Sequence, residues 1–486
     1  MGSRLISSWF DTITGLFARN WITLLGAGIT TISAFLILGF IFQGIILDDL
    51  PPYAGIIGFL ILPGVFVAGL LIIPLGAWWD RRQRAKAKRE GLPEPLPYPK
   101  LDLNSPRTRR AVAIVGFLTL VNLFIFSTAT YKGVVYSESV EFCGVVCHDV
   151  MEPEYTAFLD SPHAGITCAE CHIGSGASWF VKSKLSGVAQ VFAVLFDTYP
   201  RPIHSPVDDL RPARETCEEC HWPSKFTGDR VRIIDKFRED ENNTSLTTAL
   251  LMHVGGGNSG QGGIHSWHID PNKRTEYYAT DREREDIIYV RVSNDDGEVT
   301  EYYAQGHEDF DPASLPPGSL REMDCVDCHN RPTHIFYLPD EAMDRAMARD
   351  HIDRSLPYIK ARGVEVLKQA AEEDNGPAYI QDTLHTFYAS EYPDLYAGER
   401  ENIEQAIAEV EKIFRSNVFP HMNVTWGTYP NHIGHVTATG CFRCHTDTHR
   451  TLGENRQSIR QDCTICHSVL AWDEHEPAII RQLGMQ

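Results

Sequence analysis

Apolar positions are spread unevenly along this 486-residue chain. Three uncharged runs crowd its N-terminal quarter: WITLLGAGITTISAFLILGFIFQGII (21–46), YAGIIGFLILPGVFVAGLLIIPLGAWW (53–79) and AVAIVGFLTLVNLFIFSTAT (111–130). Each reaches the roughly 20 residues a helix needs to cross hydrocarbon, so the pattern predicts three transmembrane helices. The first run is too long for a cleavable signal peptide and lacks a small-residue exit, so it reads as an anchor that also directs export. Beyond residue 130 the pattern is that of a soluble protein. LPDEAMDRAMARDHIDRSLPYIKARGVEVLKQAAEED and GERENIEQAIAEVEKIFRSN carry helical periodicity with acidic starts. IIYVRVSNDDGEVTEYYAQ alternates on both sides of Asn294–Gly297 and predicts a β-hairpin.

Charge gives the orientation. Residues 80–110 hold ten basic and four acidic side chains, whereas LDDLPPY between the first two runs has no Lys or Arg. The basic loop is expected to stay cytoplasmic, which puts residues 1–20 inside and everything after the third helix outside. Residues 131–486 carry 32 basic and 57 acidic groups, a balance of −25. That excludes a nucleic-acid-seeking surface, and a soluble partner would present a positive face.

Twelve cysteines fall into six pairs, each followed at once by histidine: Cys143/Cys147 with His148, Cys168/Cys171 with His172, Cys217/Cys220 with His221, Cys325/Cys328 with His329, Cys441/Cys444 with His445, and Cys463/Cys466 with His467. A Cys-x-x-Cys-His run attaches a c-type haem: two thiols on one side of a turn reach the porphyrin vinyl groups, and the next imidazole comes under the iron. Structural zinc or disulfides would not require a histidine after every pair. Six covalent haem c groups are therefore expected. Because such haems are attached on the outer face of a bacterial inner membrane, the motifs agree with the orientation. The first pair is stretched by one residue. The glycines of HVGGGNSGQGGIH (253–265) lack the Lys-Ser/Thr of a phosphate loop and read as positions where backbone passes close to a porphyrin. With six porphyrins as apolar bodies, the expected fold is a mainly α, loop-rich, membrane-anchored multihaem cytochrome c with three transmembrane helices and one small β-hairpin.

At FCGVVCHDVMEPEYTAFLDSPHAGITCAECH the chain resembles the NapC/NirT family of membrane-anchored multihaem quinol dehydrogenases. The resemblance covers roughly 111–334, and three membrane helices instead of one make this an enlarged, six-haem relative. It implies a four-haem region over 131–334; the insertion at 222–320 lies outside the resemblance, as does 335–486, which the motifs and periodicity read as a helical connector and a two-haem region. In the family a methionine of a Met-x-Pro turn ligates the first haem. Met151-Glu152-Pro153 matches that turn, so either Met151 or His148 is the expected ligand. The Ser-x-His-Ala element implies His163 as distal ligand of haem 4, and CVDCHNRPTH implies His334 as distal ligand of haem 3. His253 is an internal candidate for haem 2. His435 and His449 are assigned to the irons of His445 and His467, without fixing which goes where. His204, His351 and His475 read as surface or hydrogen-bonding residues.

SWFVKSKLSGVAQVFAVLF resembles the family's amphipathic helix at the membrane, where a lysine and an aspartate face the quinol. Lys184 matches the lysine, and Gln190 stands in place of the aspartate. An amide cannot accept a hydroquinone proton, so Asp149, Glu152 and Glu154 are the candidate bases. Lys182 and Lys184 would equally suit lipid phosphates. The reading is an inner-membrane hexahaem cytochrome that takes electrons from the membrane quinol pool, menaquinol or another quinol, and passes them to a periplasmic redox partner. The competing readings are a relay subunit of a larger membrane complex without its own substrate site, and a terminal reductase with one open iron.

Overall fold

The computed structural model describes residues 21–46, 57–91, 102–146, 148–207, 211–222, 228–255, 262–270 and 272–484. Residues 1–20 and 53–56, part of the basic loop, Cys147 and the tip of the glycine-rich stretch lie outside these. The chain divides into two compact units, Met1–His148 and Asp149–Gln486.

In the first unit three helices are long and apolar enough to cross a membrane: α1 (Trp21–Ile46), α2 (Leu62–Glu90) and α3 (Pro106–Ser137). The protein is membrane-anchored. Gly69 of α2 faces Thr30 of α1 so closely that a side chain at 69 would strike its hydroxyl and backbone nitrogen. Small residues permit that approach where lipid supplies no hydrophobic drive between helices. Ile37, Phe66, Ile125 and Ala129 fill the centre. Helix α2 runs eleven residues past the expected span end at 79, through DRRQRAKAKRE, so the start of the basic loop is helical. Ala, Lys and Arg are strong helix formers, Arg84 pairs with Asp80 at 2.8 Å, and the helix ends at Gly91 in the left-handed conformation.

Helix α4 (His148–Leu159) starts at the last residue of the first unit, and α5 (Ala177–Leu195) follows in the second. Strands β1 (Arg230–Phe237) and β2 (Ser245–Met252) follow, then the single-turn helix α6 (Ile264–His268) and strands β3 (Lys273–Ala279), β4 (Ile287–Asn294), β5 (Val299–Tyr303) and β6 (Arg321–Glu322). The expected hairpin is present as β4–β5, turning at Asn294–Gly297, but it belongs to an antiparallel sheet ordered β5-β4-β3-β6. A second sheet, β1-β2-β7, is completed by β7 (His467–Glu474), so 222–320 is stitched to the far end of the chain. There is more sheet than expected because haem-bearing loops still need a backbone frame whose amides are satisfied. Helices α7 (Pro339–Ala348), α8 (Ile359–Ala370), α9 (Gly376–Glu391) and α10 (Arg400–Asn417) form a bundle. Ile380, Leu384 and Tyr388 on α9 and Ile403, Ile407, Val410 and Phe414 on α10 recur every three or four residues and face one core.

Candidate haem-binding sites

Each motif in the second unit sits on a tight turn whose start is fixed locally. Asp324 caps the turn Cys325–Cys328 by accepting from the Val326 amide at 2.9 Å, and Asp327 accepts from the Asp324 amide at 2.7 Å. Asp462 caps Cys463–Cys466 through the Thr464 amide at 3.0 Å. Motif two lies on the short helix Cys168–His172, motif three starts at the last residue of the helix Ala213–Cys217, and motif five starts within the turn Gly440–Arg443. A turn of this kind brings both thiols to one side. None of the described cysteines is joined to another in a disulfide.

Neighbouring motifs lie close to one another in sequence order. Cys171 senses Cys220, linking motifs two and three. The Cys217 thiol is pushed up and the Cys325 thiol lowered because they hydrogen-bond to each other, linking three and four. Asp324 also accepts from the Ala213 amide at 3.0 Å. The Arg443 guanidinium of motif five donates to the carbonyls of Asp327 and, at 3.0 Å, Arg284. Cys466 of motif six senses Cys441 of motif five.

Five motif histidines each face another imidazole. Ring centres are 6.3 Å apart for His172/His334, 6.0 Å for His221/His163, 6.5 Å for His329/His265, 5.9 Å for His445/His268 and 6.2 Å for His467/His435. A metal–imidazole bond is about 2 Å long and the ring centre lies roughly 1 Å behind the nitrogen, so two imidazoles on opposite sides of one metal stand about 6 Å apart. The tautomers agree. Nδ1 donates to a backbone carbonyl in His163 (Pro332, 3.3 Å), His334 (Glu154, 2.9 Å), His268 (Ile264, 2.6 Å) and His445 (Arg460, 2.9 Å). That arrangement leaves Nε2 as the nitrogen that takes a metal. Burial lowers the pKa of His172, His265, His268 and His329, so these rings are neutral and able to ligate.

The residues fit haem c and not zinc. Among the described residues no group of three or more His, Cys, Asp or Glu side chains converges as a zinc site requires. Arg331, only 6% exposed, has Nε and Nη2 buried without a hydrogen-bond partner, and Arg214 Nε is in the same position. Buried guanidinium donors are costly to leave unpaired, and a porphyrin carboxylate is a suitable acceptor.

Compared with known proteins, residues 105–206 match the NapC/NirT cytochrome c family, N-terminal region. The chain is also 41% identical over 460 residues to cytochrome c-type protein ImcH of Geobacter sulfurreducens, covering 94% of this chain and 89% of that protein. The chain belongs to the NapC/NirT cytochrome c family. As a membrane-anchored c-type cytochrome it carries covalently bound haem c. No solved structure matches it.

The histidine rings of this NapC/NirT cytochrome face one another in pairs other than the ligand pairs its family resemblance implies. His163 faces His221 and not His329, and His334 faces His172 and not His221. The reason is the anchoring of each ring: the Glu154 carbonyl holds His334 and the Pro332 carbonyl holds His163. His253 faces no motif histidine. Its Nε2 bonds Ser468 Oγ at 3.1 Å and its Nδ1 meets Asp229 at 3.1 Å, beside motif six. His449 is buried with Nε2 bonded to the Ile287 carbonyl at 2.7 Å, whereas His435 faces His467. His351 pairs with Glu409 at 3.4 Å and His475 bonds the Ser245 carbonyl at 3.1 Å, as expected of hydrogen-bonding residues. His265 and His268, whose rings face His329 and His445, carried in the sequence only the signal of two histidines three residues apart where the glycine-rich stretch ends.

Around motif one, Cys143 lies in the π-turn Phe142–Val146, while Cys147 is outside the described residues. Met151 is half-buried on α4. Glu154 is already engaged, with Arg331 at 3.4 Å and His334 Nδ1 at 3.4 Å. Asp149 and Glu152 are exposed, and Glu152 meets His421 Nε2 at 3.3 Å. On α5, Lys184 lies over Phe180 at 5.1 Å and Lys182 over Trp179 at 4.9 Å. Lys184 and the exposed Gln190 are six residues apart, about 120° around the helix, so α5 does not bring them to one spot.

Proposed function

We propose that this cytochrome oxidises a quinol, menaquinol or a close analogue, at its first haem site and relays the electrons through bis-histidine sites to an acceptor outside the inner membrane. The observation that carries the reading is the set of facing imidazoles. A site with two imidazoles has no open position for a small substrate, which suits transfer and disfavours a terminal reductase. Haem c, when bound, supplies reversible one-electron iron chemistry. The chain's part is to hold six such groups: by the twelve cysteines, by the motif histidines, and by the opposing rings His334, His163 and His435 at sites two, three and six. The neighbouring motifs give the order two, three, four, five, six.

Site one is set apart by its stretched motif and by two competing axial donors, His148 and Met151. A thioether raises the iron's potential relative to bis-histidine ligation, which suits the point where a quinol's electrons arrive. A quinol also gives up two protons. With Glu154 tied to Arg331, the exposed carboxylates Asp149 and Glu152 are the acceptors beside Met151. Helix α5 exposes Val181, Leu185, Val188, Val191, Phe192 and Leu195, an apolar face suited to lying in the membrane surface with Lys182 and Lys184 at the phosphates. The N-terminus is then cytoplasmic and the haem-bearing unit periplasmic.

Purified, haem-loaded protein mixed with a reduced menaquinol analogue should show haem reduction in the visible spectrum. No reduction in membranes or detergent, with haem content intact, would remove the quinol step. The amide at Gln190, away from the face of Lys184, supports a second reading: a relay subunit fed by a membrane partner. Stoichiometric co-purification of that partner, together with failure of the quinol reaction, would establish it.

A further inference from the structure

Nothing in the family resemblance supplies an opposing ligand for sites four and five as the structure arranges them. We propose that His265 and His268, on the one turn of α6, are the axial ligands opposite His329 and His445, so that a single helical turn ties the fourth and fifth irons together. The inference rests on haem attachment at motifs four and five and is independent of which donor reduces the protein.

Both rings stand at the separation of opposed ligands, 6.5 Å for His265/His329 and 5.9 Å for His268/His445. In the second pair both Nδ1 atoms are bonded to carbonyls, of Ile264 and Arg460, leaving both Nε2 atoms for metal. Residues three apart on a helix are neighbours on its surface, so two rings on one turn can serve two adjacent irons only if the motifs are themselves adjacent. They are: Arg443 of motif five donates to the Asp327 carbonyl of motif four. Asp327 in turn accepts from Tyr277 at 2.6 Å, Arg321 at 2.8 Å and Arg284 at 3.1 Å, which fixes motif four from three directions.

The turn is placed by the glycine-rich segment. Gly255, at φ +56°, and Gly263 pass backbone to backbone, where a side chain on either would strike the other's main chain. The Ile264 amide donates to the His253 carbonyl and the His265 amide to the Val254 carbonyl, each at 2.9 Å. These glycines therefore close a loop on itself and aim α6. The Arg214 guanidinium, three residues before Cys217 of motif three, donates to the Ile269 carbonyl just past the turn at 3.3 Å. The other buried or cornered histidines nearby, His253 and His449, have Nε2 committed to Ser468 and Ile287 and are excluded on that ground.

The test uses the full haem-loaded protein and electron paramagnetic resonance with near-infrared magnetic circular dichroism. His265→Ala and His268→Ala should each convert one low-spin bis-histidine signal into one high-spin signal, with haem content by mass unchanged and the low-spin signal restored by added imidazole. His253→Ala and His449→Ala should retain the full low-spin set. An unchanged low-spin spectrum in either α6 variant, or a high-spin signal in the His253 or His449 variant, overturns the assignment. Should the alanine variants fail to accumulate, His265→Met and His268→Met decide it: one histidine–methionine near-infrared signature supports the proposal, and an unaltered bis-histidine spectrum refutes it. Quinol reduction of the wild type is scored separately, so each reading can fail without the other.

Discussion

Two regions of the second unit are built on different physics. The α7–α10 bundle has a core of ordinary side chains: Met343, Met347, Leu367, Ile380, Leu384, Tyr388, Ile403 and Val410 are essentially inaccessible. Each contributes about 1.5–3 kcal/mol on burial. The haem-bearing segments bury Asp327, Arg331, His432 and His449 instead, and their apolar clusters are small and separate. There the large apolar body is the prosthetic group itself, so the polypeptide supplies attachment, ligands and paired charges. The lesson is that one compact unit can contain a part that folds from its own side chains and a part whose core arrives covalently.

The strongest way to break this contrast is to remove one haem. Cys217→Ala with Cys220→Ala should lower the mass by one haem and leave the segments around motifs two to four open to limited proteolysis, with 339–417 still protected. Equal digestion of the bundle would show that it too depends on haem. A smaller effect is expected from Leu384→Ala, which leaves a cavity in the bundle and should cost about 3 kcal/mol in denaturant unfolding, with the haem spectrum unchanged. A spectral change would mean that the two regions share one core.

The smallest effect concerns acid. The Ser355 amide donates to Asp353 at 2.8 Å and Asn402 donates to it at 2.8 Å, and the Ser355 bond foremost holds this carboxyl below its usual range. A lowered folded-state pKa contributes stability above the unfolded value, lost as pH falls through the folded one. Asp353→Ala should therefore cost less than about 1 kcal/mol at neutral pH, because the group is largely exposed. The difference from wild type should vanish in acid unfolding below the ordinary carboxylate range. A difference that persists there would assign it to helix packing.

Much of the site was legible in the sequence because attachment is local. Five consecutive residues decide a haem motif, and Asp324 or Asp462 just before it sets the turn. The membrane spans were equally local, although α2 outran its apolar run because charged helix formers continue a helix into water. The hairpin at Asn294–Gly297 was legible, but its sheet was not: β7 pairs with β2 across more than 200 residues. The opposing histidines failed for the same reason. The His334 ring faces His172, His163 faces His221 and His268 faces His445, and spacing along the chain cannot rank such neighbours.

By itself, the sequence determined the three apolar helices, the six motifs in which a histidine follows a pair of cysteines, and the periodic helices of the bundle. All depend on contacts within a few turns of chain. Which second imidazole faces each of five motif histidines, which histidines are spent on hydrogen bonds, and the pairing of Glu154 with Arg331 were decided only by tertiary structure. Facing imidazoles come from distant segments, and only the folded backbone brings the two rings together.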